Sequence, residues 1–585
     1  MHDEEFSKQF DTSVWRKVFR LLAPYRWHYA GIMTVIVLMA GVEVLFPLVV
    51  RNAVDEGITP GNRDVILLAV FEYLGLIILQ AVLVASFISG CARVGVRVIA
   101  DLRRMTYDKL QSLSISYFDK TPVGWLMSRM FSDSQRVGDT LTWGAVDFVW
   151  GAVNMSLMAI AMLVVHWKLA LAALSLLPLI VGISIFFQRR ILRGYRSVRR
   201  INSEITAGFN EGYMGVRVIK SLVRETAMAR DFETLTGKMF EASVRSAVLS
   251  SVYLPIIHVI GATGSALVIA FGGSGVIAGS ISLGTLVAFI SYTRRFFDPA
   301  NEIARVFGQL QETQASAERV FVLLDVTPEL TERPNASNDG RIRGKVEFRD
   351  VWFGYDRKNP VLRQFNLSVD PGQTIALVGP TGSGKTTVMN LLLRFYDPTR
   401  GAVLIDGEDI RQWTFRRLRS QMGVVLQTPH LFSGTVRENI RYGKLDATDD
   451  AIETAAKQVG LHEFVEALPS GYETVLREGG EPLSTGQKQL ISLARAVLSD
   501  PAIFIMDEAT SSVDTETELR IQQASEKLLA GRTAFIIAHR LSTIRQADRI
   551  LVIEKGRIAE NGTHAELMAR RGMYHQLYSQ QFMKS

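Results

Sequence analysis

A chain of 585 residues is too long for one compact domain, so several domains are expected. Hydrophobic residues make up 48% and charged residues 21%, but the long apolar runs are confined to residues 28–297, and residues 344–585 read as an ordinary soluble domain. The net charge of +7 lies largely beside the apolar runs, which favours membrane topology over nucleic-acid binding. Cys91 is the only cysteine, which excludes an internal disulfide or a cysteine zinc site. The acid-bearing N-terminus has no short apolar core, so no cleaved signal peptide is expected.

Six apolar runs predict six membrane-spanning helices. Each run has roughly 19–27 residues, and a helix needs about 20 residues to cross the hydrocarbon core of a bilayer. One such run could be a buried core helix, but six spaced runs favour a polytopic membrane domain. The predicted spans are 28–50, 65–90, 141–165, 169–187, 246–272 and 275–297.

The connections between these spans alternate between short and long, and their charge predicts which side is inside. The short segments 51–64, 166–168 and 273–274 hold three Lys or Arg residues in total, whereas 91–140 and 188–245 hold eight and twelve. Positive charge favours the cytoplasmic side of a membrane protein. We therefore expect both long segments and both termini to be cytoplasmic.

The two long segments also read as helices that extend beyond the bilayer. The stretches SYFDKTPVGWL (116–126) and NEGYMGVRVIK (210–220) are candidates for coupling helices that touch the C-terminal domain. Helical sequence continues to about Leu324, and TPELTERPNASNDG (327–340) reads as an exposed linker. The predicted organisation is a transmembrane domain at 1–325, a linker at 326–343 and a nucleotide-binding domain at 344–585.

The stretch TIALVGPTGSGKTT predicts a strand, a phosphate-binding loop and the start of a helix. It fits the pattern G-x-x-x-x-G-K-[ST] with Gly379, Gly384, Lys385 and Thr386. The glycines let backbone N–H groups approach phosphate oxygens, and the helix N-terminus adds partial positive charge. Lys385 would reach the β- and γ-phosphates, and the Thr386 hydroxyl would ligate Mg²⁺.

The stretch AIFIMDEAT is an apolar strand that ends in two carboxylates, Asp507 and Glu508. A buried strand seldom ends in paired acids without a chemical reason. Asp507 suits Mg²⁺, directly or through water, and Glu508 suits the general base that polarises the attacking water.

With these motifs in this order, the chain resembles a half-transporter of the ABC exporter superfamily over nearly its whole length. The resemblance implies an α-helical membrane domain followed by an α/β P-loop ATPase. Tyr355 in WFGYD matches the aromatic residue that stacks on adenine, and Gln427 in VVLQTPHLF matches the glutamine that senses Mg²⁺ and the attacking water. Asp514 in SSVD matches the loop that crosses to the partner domain, and His539 in IIAHRLST matches the histidine that contacts the γ-phosphate.

The resemblance implies ATP and Mg²⁺ as ligands and assigns their contacts. Catalysis would rest on Glu508, His539 and Gln427, and the metal on Thr386, Gln427 and Asp507. The expected nucleotide contacts are Tyr355, Thr381, Gly382, Ser383, Gly384, Lys385, Thr386, Thr387, Ser484, Gly486, Gln487 and Asp514.

The family mechanism places each ATP between the phosphate loop of one subunit and the signature loop of the other, so a second half-transporter is implied as partner. In the signature LSTGQ, Thr485 stands where a glycine would be expected. An intact phosphate loop, Asp507, Glu508 and His539 beside an altered signature resemble one subunit of a heterodimeric bacterial multidrug exporter. A homodimer that tolerates the threonine stays open.

Ionisable residues inside the predicted spans are the candidate substrate contacts, since they are costly in a membrane. They are Glu43, Glu72, Asp147 and His258. Asp147, between Trp143 and Trp150, would suit a cationic amphiphile. Arg294 and Arg295 are expected at the inner end of the sixth span, where they snorkel or pair.

The expected function is ATP-driven export of amphiphilic, drug-like compounds across the bacterial inner membrane. Flipping of lipid or lipid A is the alternative, and peptide export stays open. Import is disfavoured by the order of the domains. A soluble ABC ATPase acting on DNA or ribosomes is disfavoured by the six spans, and a channel without productive hydrolysis is disfavoured by Glu508.

Overall fold

The structure is a computed structural model that describes residues 11–582, apart from 297, 357, 508–514 and 539–540. The chain divides into two compact units. The N-terminal unit comprises Met1–Ser112 with Pro122–Val326, and the C-terminal unit comprises Leu113–Thr121 with Thr327–Ser585.

The described part of residues 12–325 is helical almost throughout. Short π-helical stretches join several of the helices. In chain order the α-helices are α1 (Thr12–Arg20), α2 (Arg26–Asn52), α3 (Arg63–Ser112), α4 (Ile115–Lys120), α5 (Val123–Ser128), α6 (Ser134–Asp139), α7 (Ala145–Leu174), α8 (Leu177–Met214), α9 (Val216–Ser221), α10 (Glu225–Ile277), α11 (Leu283–Phe296) and α12 (Asp298–Asp325).

Four helical stretches of the described chain are long and apolar enough to cross a membrane by length and composition. They are Ala23–Ile58, Arg63–Ser112, Val123–Leu174 and Glu225–Ile277. The fourth predicted span, 169–187, falls across the end of α7 and the start of α8. The sixth, 275–297, falls largely on α11, whose 14 residues cover about 21 Å. The next helix begins at Asp298, so the chain stays helical beyond the apolar run.

Two predicted connections differ in their outcome. At His166 the backbone leaves helical geometry, with φ −161° and ψ 96°, within the predicted connection 166–168. The predicted connection 273–274 is wrong, since α10 continues to Ile277 and the chain turns after it. Gly279, in the turn after α10, adopts a positive φ of 73°.

Two apolar clusters hold the N-terminal unit together. One joins α1, α2, α3 and α12 through residues such as Trp15, Ile36 and Leu102. The other joins α7, α8, α10 and α11 through residues such as Met162 and Phe289. Both predicted coupling stretches contain short helices, α4 and α9.

The C-terminal unit contains a four-stranded antiparallel sheet, a six-stranded sheet and a short two-stranded one. The four-stranded sheet has the order β2-β1-β4-β5 and the six-stranded sheet β12-β11-β3-β10-β9-β6. The strands are β1 (Val346–Phe353), β2 (Leu362–Val369), β3 (Thr374–Val378), β4 (Arg400–Ile405), β5 (Glu408–Asp409), β6 (Met422–Val425), β7 (Gly434–Thr435), β8 (Val475–Leu476), β9 (Ile503–Asp507), β10 (Thr533–Ile537), β11 (Arg549–Glu554) and β12 (Arg557–Gly562).

Helices cover these sheets and enclose two apolar cores. Central strands such as β10 read as continuous apolar runs because both of their faces are buried. The helices are α13 (Lys385–Leu392), α14 (Phe415–Arg419), α15 (Val436–Arg441), α16 (Asp449–Gln458), α17 (His462–Glu466), α18 (Thr485–Leu498), α19 (Thr515–Leu529), α20 (Leu541–Gln546), α21 (His564–Arg570) and α22 (Met573–Phe582).

Candidate functional site

Four neighbouring parallel strands bring the sequence motifs of the C-terminal unit to one edge of its sheet. Strands β3, β10, β9 and β6 are adjacent and parallel, with Ile537 opposite both Leu377 and Asp507, and Val425 opposite Met506. In open parallel sheets, ligands bind outside the carboxyl ends of the strands. The phosphate loop, Asp507 and Gln427 all follow or end strands at this edge.

The phosphate loop turns sharply between β3 and α13, and two glycines explain how it can. Gly379 has a φ of 149°, and an added Cβ would lie 3.0 Å from the Ser383 hydroxyl oxygen. Gly384, the residue before α13, is left-handed with a φ of 109°, and its Cβ would lie 2.9 Å from the side chain of Leu362. Without side chains at these positions, the loop can present its N–H groups to an anion.

Lys385 is folded onto its own loop. Its Nζ donates to the carbonyl oxygens of Gly379 at 2.8 Å and Pro380 at 3.0 Å. Burial lowers the pKa of the Lys385 ammonium, and the Asp507 carboxylate opposes that change. The same amine could donate to phosphate oxygens instead, since those carbonyl oxygens lie at the mouth of the loop.

The other predicted contacts of the phosphate loop differ in exposure. Thr381, Gly382 and Thr386 are exposed, whereas Ser383, Gly384 and Thr387 are buried. The buried hydroxyl of Ser383 has no hydrogen-bond partner in the described structure. An unsatisfied buried hydroxyl is costly, and a bound phosphate would supply the missing acceptor.

The metal and catalytic residues are described only in part. Asp507 is half-buried at the end of β9, and Gln427 is exposed just after β6. Among the described residues no group of three or more His, Cys, Asp or Glu side chains could hold a metal ion. The predicted catalytic residues Glu508 and His539, and the predicted contact Asp514, lie outside the described residues.

Tyr355 presents an aromatic face beside the helix that starts from the phosphate loop. Its ring is 43% exposed, which leaves room for a stacked base. Its hydroxyl accepts from Asn390 Nδ2 at 3.0 Å and lies 3.3 Å from Thr387 Oγ1. Both partners belong to α13, so the position of the ring is tied to the phosphate loop.

The signature loop forms a complete helix cap. Ser484 precedes α18, its Oγ accepts from Gln487 N at 3.3 Å, and Gln487 Oε1 accepts from Ser484 N at 2.8 Å. The Ser484 hydroxyl hydrogen is left to donate elsewhere. Gly486 is buried, whereas Thr485 is exposed at the first position of the helix. The threonine therefore fits its own backbone, and its methyl group adds bulk only on the outer surface.

A tyrosine that the sequence did not single out links this site to the helix α4. Tyr396 is nearly buried, packs edge-on against Tyr355 with ring centroids 5.1 Å apart, and donates its hydroxyl to Asp119. Burial, and then this hydrogen bond, raise the pKa of Tyr396. In the same helix Ser116 Oγ donates to Glu329 at 2.5 Å. The aromatic residue after LLLRF offered no sequence signal that set it apart from a core residue.

Arg495 is a second residue that the motifs missed. It lies in the signature helix α18 and donates to the carbonyl oxygens of Asn439 at 2.5 Å and His430 at 2.6 Å. Burial lowers the pKa of its guanidinium to about 10. His430 follows Gln427 by three residues, so Arg495 joins the signature helix to the loop of the predicted sensor glutamine.

The N-terminal unit contains a cavity of about 910 Å³ between α2, α3, α10 and α11. One wall is apolar and aromatic, with Phe46 and Tyr73 in edge-on contact at 4.9 Å. The other is polar and includes His258, Arg294 and Arg295. Of the four predicted substrate contacts, only His258 lines this cavity.

The three predicted acids occupy other places. Glu43 is half-buried and accepts from Asn154 Nδ2 and, at 3.4 Å, from Gln80 Nε2, so it joins α2 to α7 and α3. Glu72 is exposed, and Asp147 is half-buried.

The structure places Arg294 and Arg295 in the last turn of α11. They lie 11 and 12 residues after the start of α11, about 17 Å along the helix, and α12 follows at Asp298. Both side chains line the cavity, and Arg295 also interacts electrostatically with the carboxylate of Glu43.

Comparisons with known proteins agree with this architecture. The model of the ABC transporter transmembrane region matches residues 30–300, and the model of the ABC transporter ATPase matches residues 362–511. An uncharacterized ABC transporter ATP-binding protein of Bacillus subtilis, YknV, is 37% identical over 99% of this chain and 96% of its own length.

Two further proteins are similar over nearly the whole chain. An ATP-dependent lipid A-core flippase of Syntrophus aciditrophicus is 36% identical over 97% of this chain and 94% of its own. The solved structure of a bacterial Atm1-family ABC exporter with ATP bound has a TM-score of 0.79 at 27% identity, covering 96% of this chain and 99% of that one. The chain therefore belongs to the ABC transporter family, as an inner-membrane half-transporter of the exporter type that works as a dimer and couples ATP hydrolysis in its cytoplasmic domain to transport.

Proposed function

We propose that this half-transporter exports amphiphilic, drug-like small molecules across the membrane by alternating access. The observation that carries this proposal is the cavity of about 910 Å³ in the membrane domain, whose lining combines apolar and aromatic residues with polar and charged ones. Its volume lies in the range of about 300–1,000 Å³ that is usual for small-molecule sites. An amphiphile would satisfy both walls, whereas a peptide chain would find few backbone-binding groups.

In the nucleotide site, we assign phosphate binding to the loop from Thr381 to Thr387 and adenine stacking to Tyr355. Lys385 would exchange its two loop carbonyls for phosphate oxygens, at a similar hydrogen-bond distance. The unpartnered Ser383 hydroxyl and the helix N-terminus at Gly384 support the same placement.

A Mg²⁺ ion fits the donors that surround the loop. Thr386, Gln427 and Asp507 offer the hydroxyl, amide and carboxylate oxygens that this ion prefers, and phosphate oxygens and water would complete its shell. The ion would neutralise phosphate charge as it develops. By the order of the motifs, Glu508 is the base for the attacking water, and His539 contacts the γ-phosphate.

We further propose that the partner is a different half-transporter. Thr485 lies exposed beside the capping serine of the signature loop, where the nucleotide of a second subunit would approach. Its bulk fits a site that holds ATP rather than splitting it. The competent site would combine this chain's phosphate loop, Glu508 and His539 with the partner's signature, and Ser484, Gly486, Gln487 and Asp514 would serve across the interface. The homodimer is the alternative.

Lipid flipping is the second candidate for the transport reaction. The lipid A-core flippase that resembles this chain over nearly its full length favours it. So does the position of the cavity among helices several of which are long and apolar enough to cross a membrane. The boundaries of the linker between the transmembrane domain and the nucleotide-binding domain, after residues 325 and 343, stay predictions from the sequence.

Two assays separate the two cargoes. Vesicles that contain the purified dimer are tested for ATP-dependent flipping of labelled lipid, and whole cells are tested for dye efflux. Drug export predicts efflux without lipid flipping, and the flippase predicts the reverse. Purification of the tagged chain from its native membrane, followed by mass spectrometry, identifies the partner: a second half-transporter in equal amount supports the heterodimer, and recovery of this chain alone contradicts it.

A further inference from the structure

We propose that the membrane cavity selects anionic amphiphiles, with Arg294 and Arg295 as the binding site for a carboxylate or phosphate headgroup. The proposal rests on the proposed function, because it names the class of substrate that the cavity accepts. It differs from the sequence-based expectation of a cationic substrate at Asp147, which does not line this cavity.

The first step is the charge of the cavity wall. Arg294 and Arg295 both line the cavity, together with His258. A guanidinium keeps its charge in every accessible state, so these two positive charges cannot be neutralised by losing protons. No acidic residue is among the described residues that line the cavity, although the Glu43 carboxylate, outside this lining, interacts electrostatically with Arg295. The wall is therefore cationic.

The second step is the place of these charges. Both lie in the last turn of α11, about 17 Å along the helix from its start and within the predicted span 275–297. A charge inside a span is expensive and marks a functional position. A headgroup with negative charge offers the strongest compensation, because a guanidinium binds carboxylate and phosphate through paired hydrogen bonds.

The third step is the apolar part of the cavity lining. Phe46, Tyr73, Ile257 and Ile290 supply an apolar and aromatic surface beside the charged one. The Arg295 guanidinium lies 5.9 Å from the centroid of the Phe46 ring, so the two walls meet at these side chains. A ligand with an anionic head and an apolar tail would therefore contact both walls at once.

The experiment compares probes with the same hydrocarbon chain and different headgroups. The purified native dimer is cross-linked with a diazirine-bearing hexadecanoate, and the yield on this chain is measured while unlabelled competitors are added. The competitors are hexadecanoate, hexadecyl phosphate, the neutral hexadecanol and the cationic hexadecyltrimethylammonium. We expect the two anions to compete at least about tenfold better than the neutral and cationic probes. A preference between hexadecanoate and hexadecyl phosphate identifies the headgroup.

Substitutions locate the headgroup site. Arg294→Gln and Arg295→Gln are each expected to reduce cross-linking by hexadecanoate about tenfold, whereas Arg294→Lys and Arg295→Lys retain most of it. Arg63→Gln, which removes an exposed arginine at the start of α3, is the matched control and leaves cross-linking unchanged. Monodisperse elution of each variant as a dimer shows that it has folded.

The outcomes distinguish the two levels of the proposal. Equal competition by all four probes, with no effect of the glutamine variants, overturns the anion site and leaves amphiphile export standing. A cationic probe that competes best also overturns it. Absence of specific cross-linking and of competition by any probe overturns amphiphile export itself.

Discussion

The helix α3 and the strand β10 are both apolar, yet they treat their side chains in opposite ways. In α3, Phe71 is 70% exposed and Ile78 is 66% exposed, whereas Phe535 and Ile536 in β10 are fully buried. The helix satisfies its backbone within itself and can face lipid, while the strand must be covered by neighbours. Composition therefore identifies an apolar segment, but the surroundings of that segment determine whether its side chains face lipid or a protein core.

The two units that contain these segments also differ in how they hold their functional residues. The C-terminal unit holds its functional residues on a rigid, buried sheet, as strands β3, β6, β9 and β10 show. The N-terminal unit holds a cavity between long helices with many exposed apolar residues. Substitutions at functional residues of the C-terminal unit should therefore change mainly ATP hydrolysis, and substitutions around the cavity of the N-terminal unit should change mainly which compounds are transported.

The largest expected effect is a loss of ATP hydrolysis in the C-terminal unit. Glu508→Gln should reduce ATP turnover by about a hundredfold or more, because the water loses its general base, and ATP binding should persist. Phosphate release and nucleotide binding by the purified dimer measure the two separately. Glu463→Gln, at an exposed carboxylate of α17, is the control. Undiminished phosphate release in the Glu508 variant would overturn the assignment of the base.

A second pair of substitutions tests the opposite burial of the two apolar segments. Phe535→Ala should destabilise the ATPase domain by about 3–5 kcal/mol, because it leaves a cavity in the core. Phe71→Ala should change stability by less than about 1 kcal/mol, since lipid replaces the lost ring. Thermal unfolding in lipid nanodiscs measures both. If the two variants were equally destabilised, Phe71 would be packed against protein rather than lipid.

A third substitution tests whether the tyrosine pair next to the nucleotide site carries information to α4. Tyr396→Phe removes the hydrogen bond to Asp119, worth about 1–2 kcal/mol, and keeps the aromatic packing. Stimulation of ATPase activity by an amphiphile should fall by about five- to thirtyfold for that energy, with little change in the unstimulated rate. The exposed Tyr442 changed to Phe serves as control. Full stimulation in the Tyr396 variant would leave this contact a purely structural one.

The smallest expected effect concerns the altered signature. In a heterodimer, Thr485→Gly should change total turnover within about a factor of two, because the signature covers a site that contributes little hydrolysis. In a homodimer the same change would alter both working sites. Steady-state turnover of the native complex, with Thr485→Ser as a variant of intermediate size, distinguishes them. A several-fold rise on Thr485→Gly would contradict the heterodimer.

Local patterns in the sequence predicted the fold class and the phosphate loop because each depends on neighbouring residues. The spacing of Gly379, Gly384 and Lys385 predicts the phosphate loop. The length of an apolar run predicts a membrane-spanning helix. The turn after α10 was misplaced because α10 continues to Ile277, beyond the end of the predicted span at residue 272. The place of Arg294 and Arg295 at the inner end of the sixth span stays a prediction from the end of its apolar run.

Residues that act through distant contacts could not be predicted from the sequence. Asp119 and Tyr396 are separated by 277 positions, and the cavity joins α2 and α3 to α10 and α11. Of the acids, Glu43 was recognised as unusual, but only the structure brings Asn154 and Gln80 to it. The roles of Glu508, His539 and Asp514 stay predictions from their motifs.

The most direct test of amphiphile export uses inverted membrane vesicles from the native host, where any partner is present. Uptake of a fluorescent amphiphile is followed with and without ATP, in vesicles that carry the wild-type chain or Lys385→Ala. We predict ATP-dependent accumulation with the wild-type chain and only background uptake with the variant, because Lys385 is needed at the phosphates. Equal accumulation in both kinds of vesicle would contradict the proposal that this chain drives export.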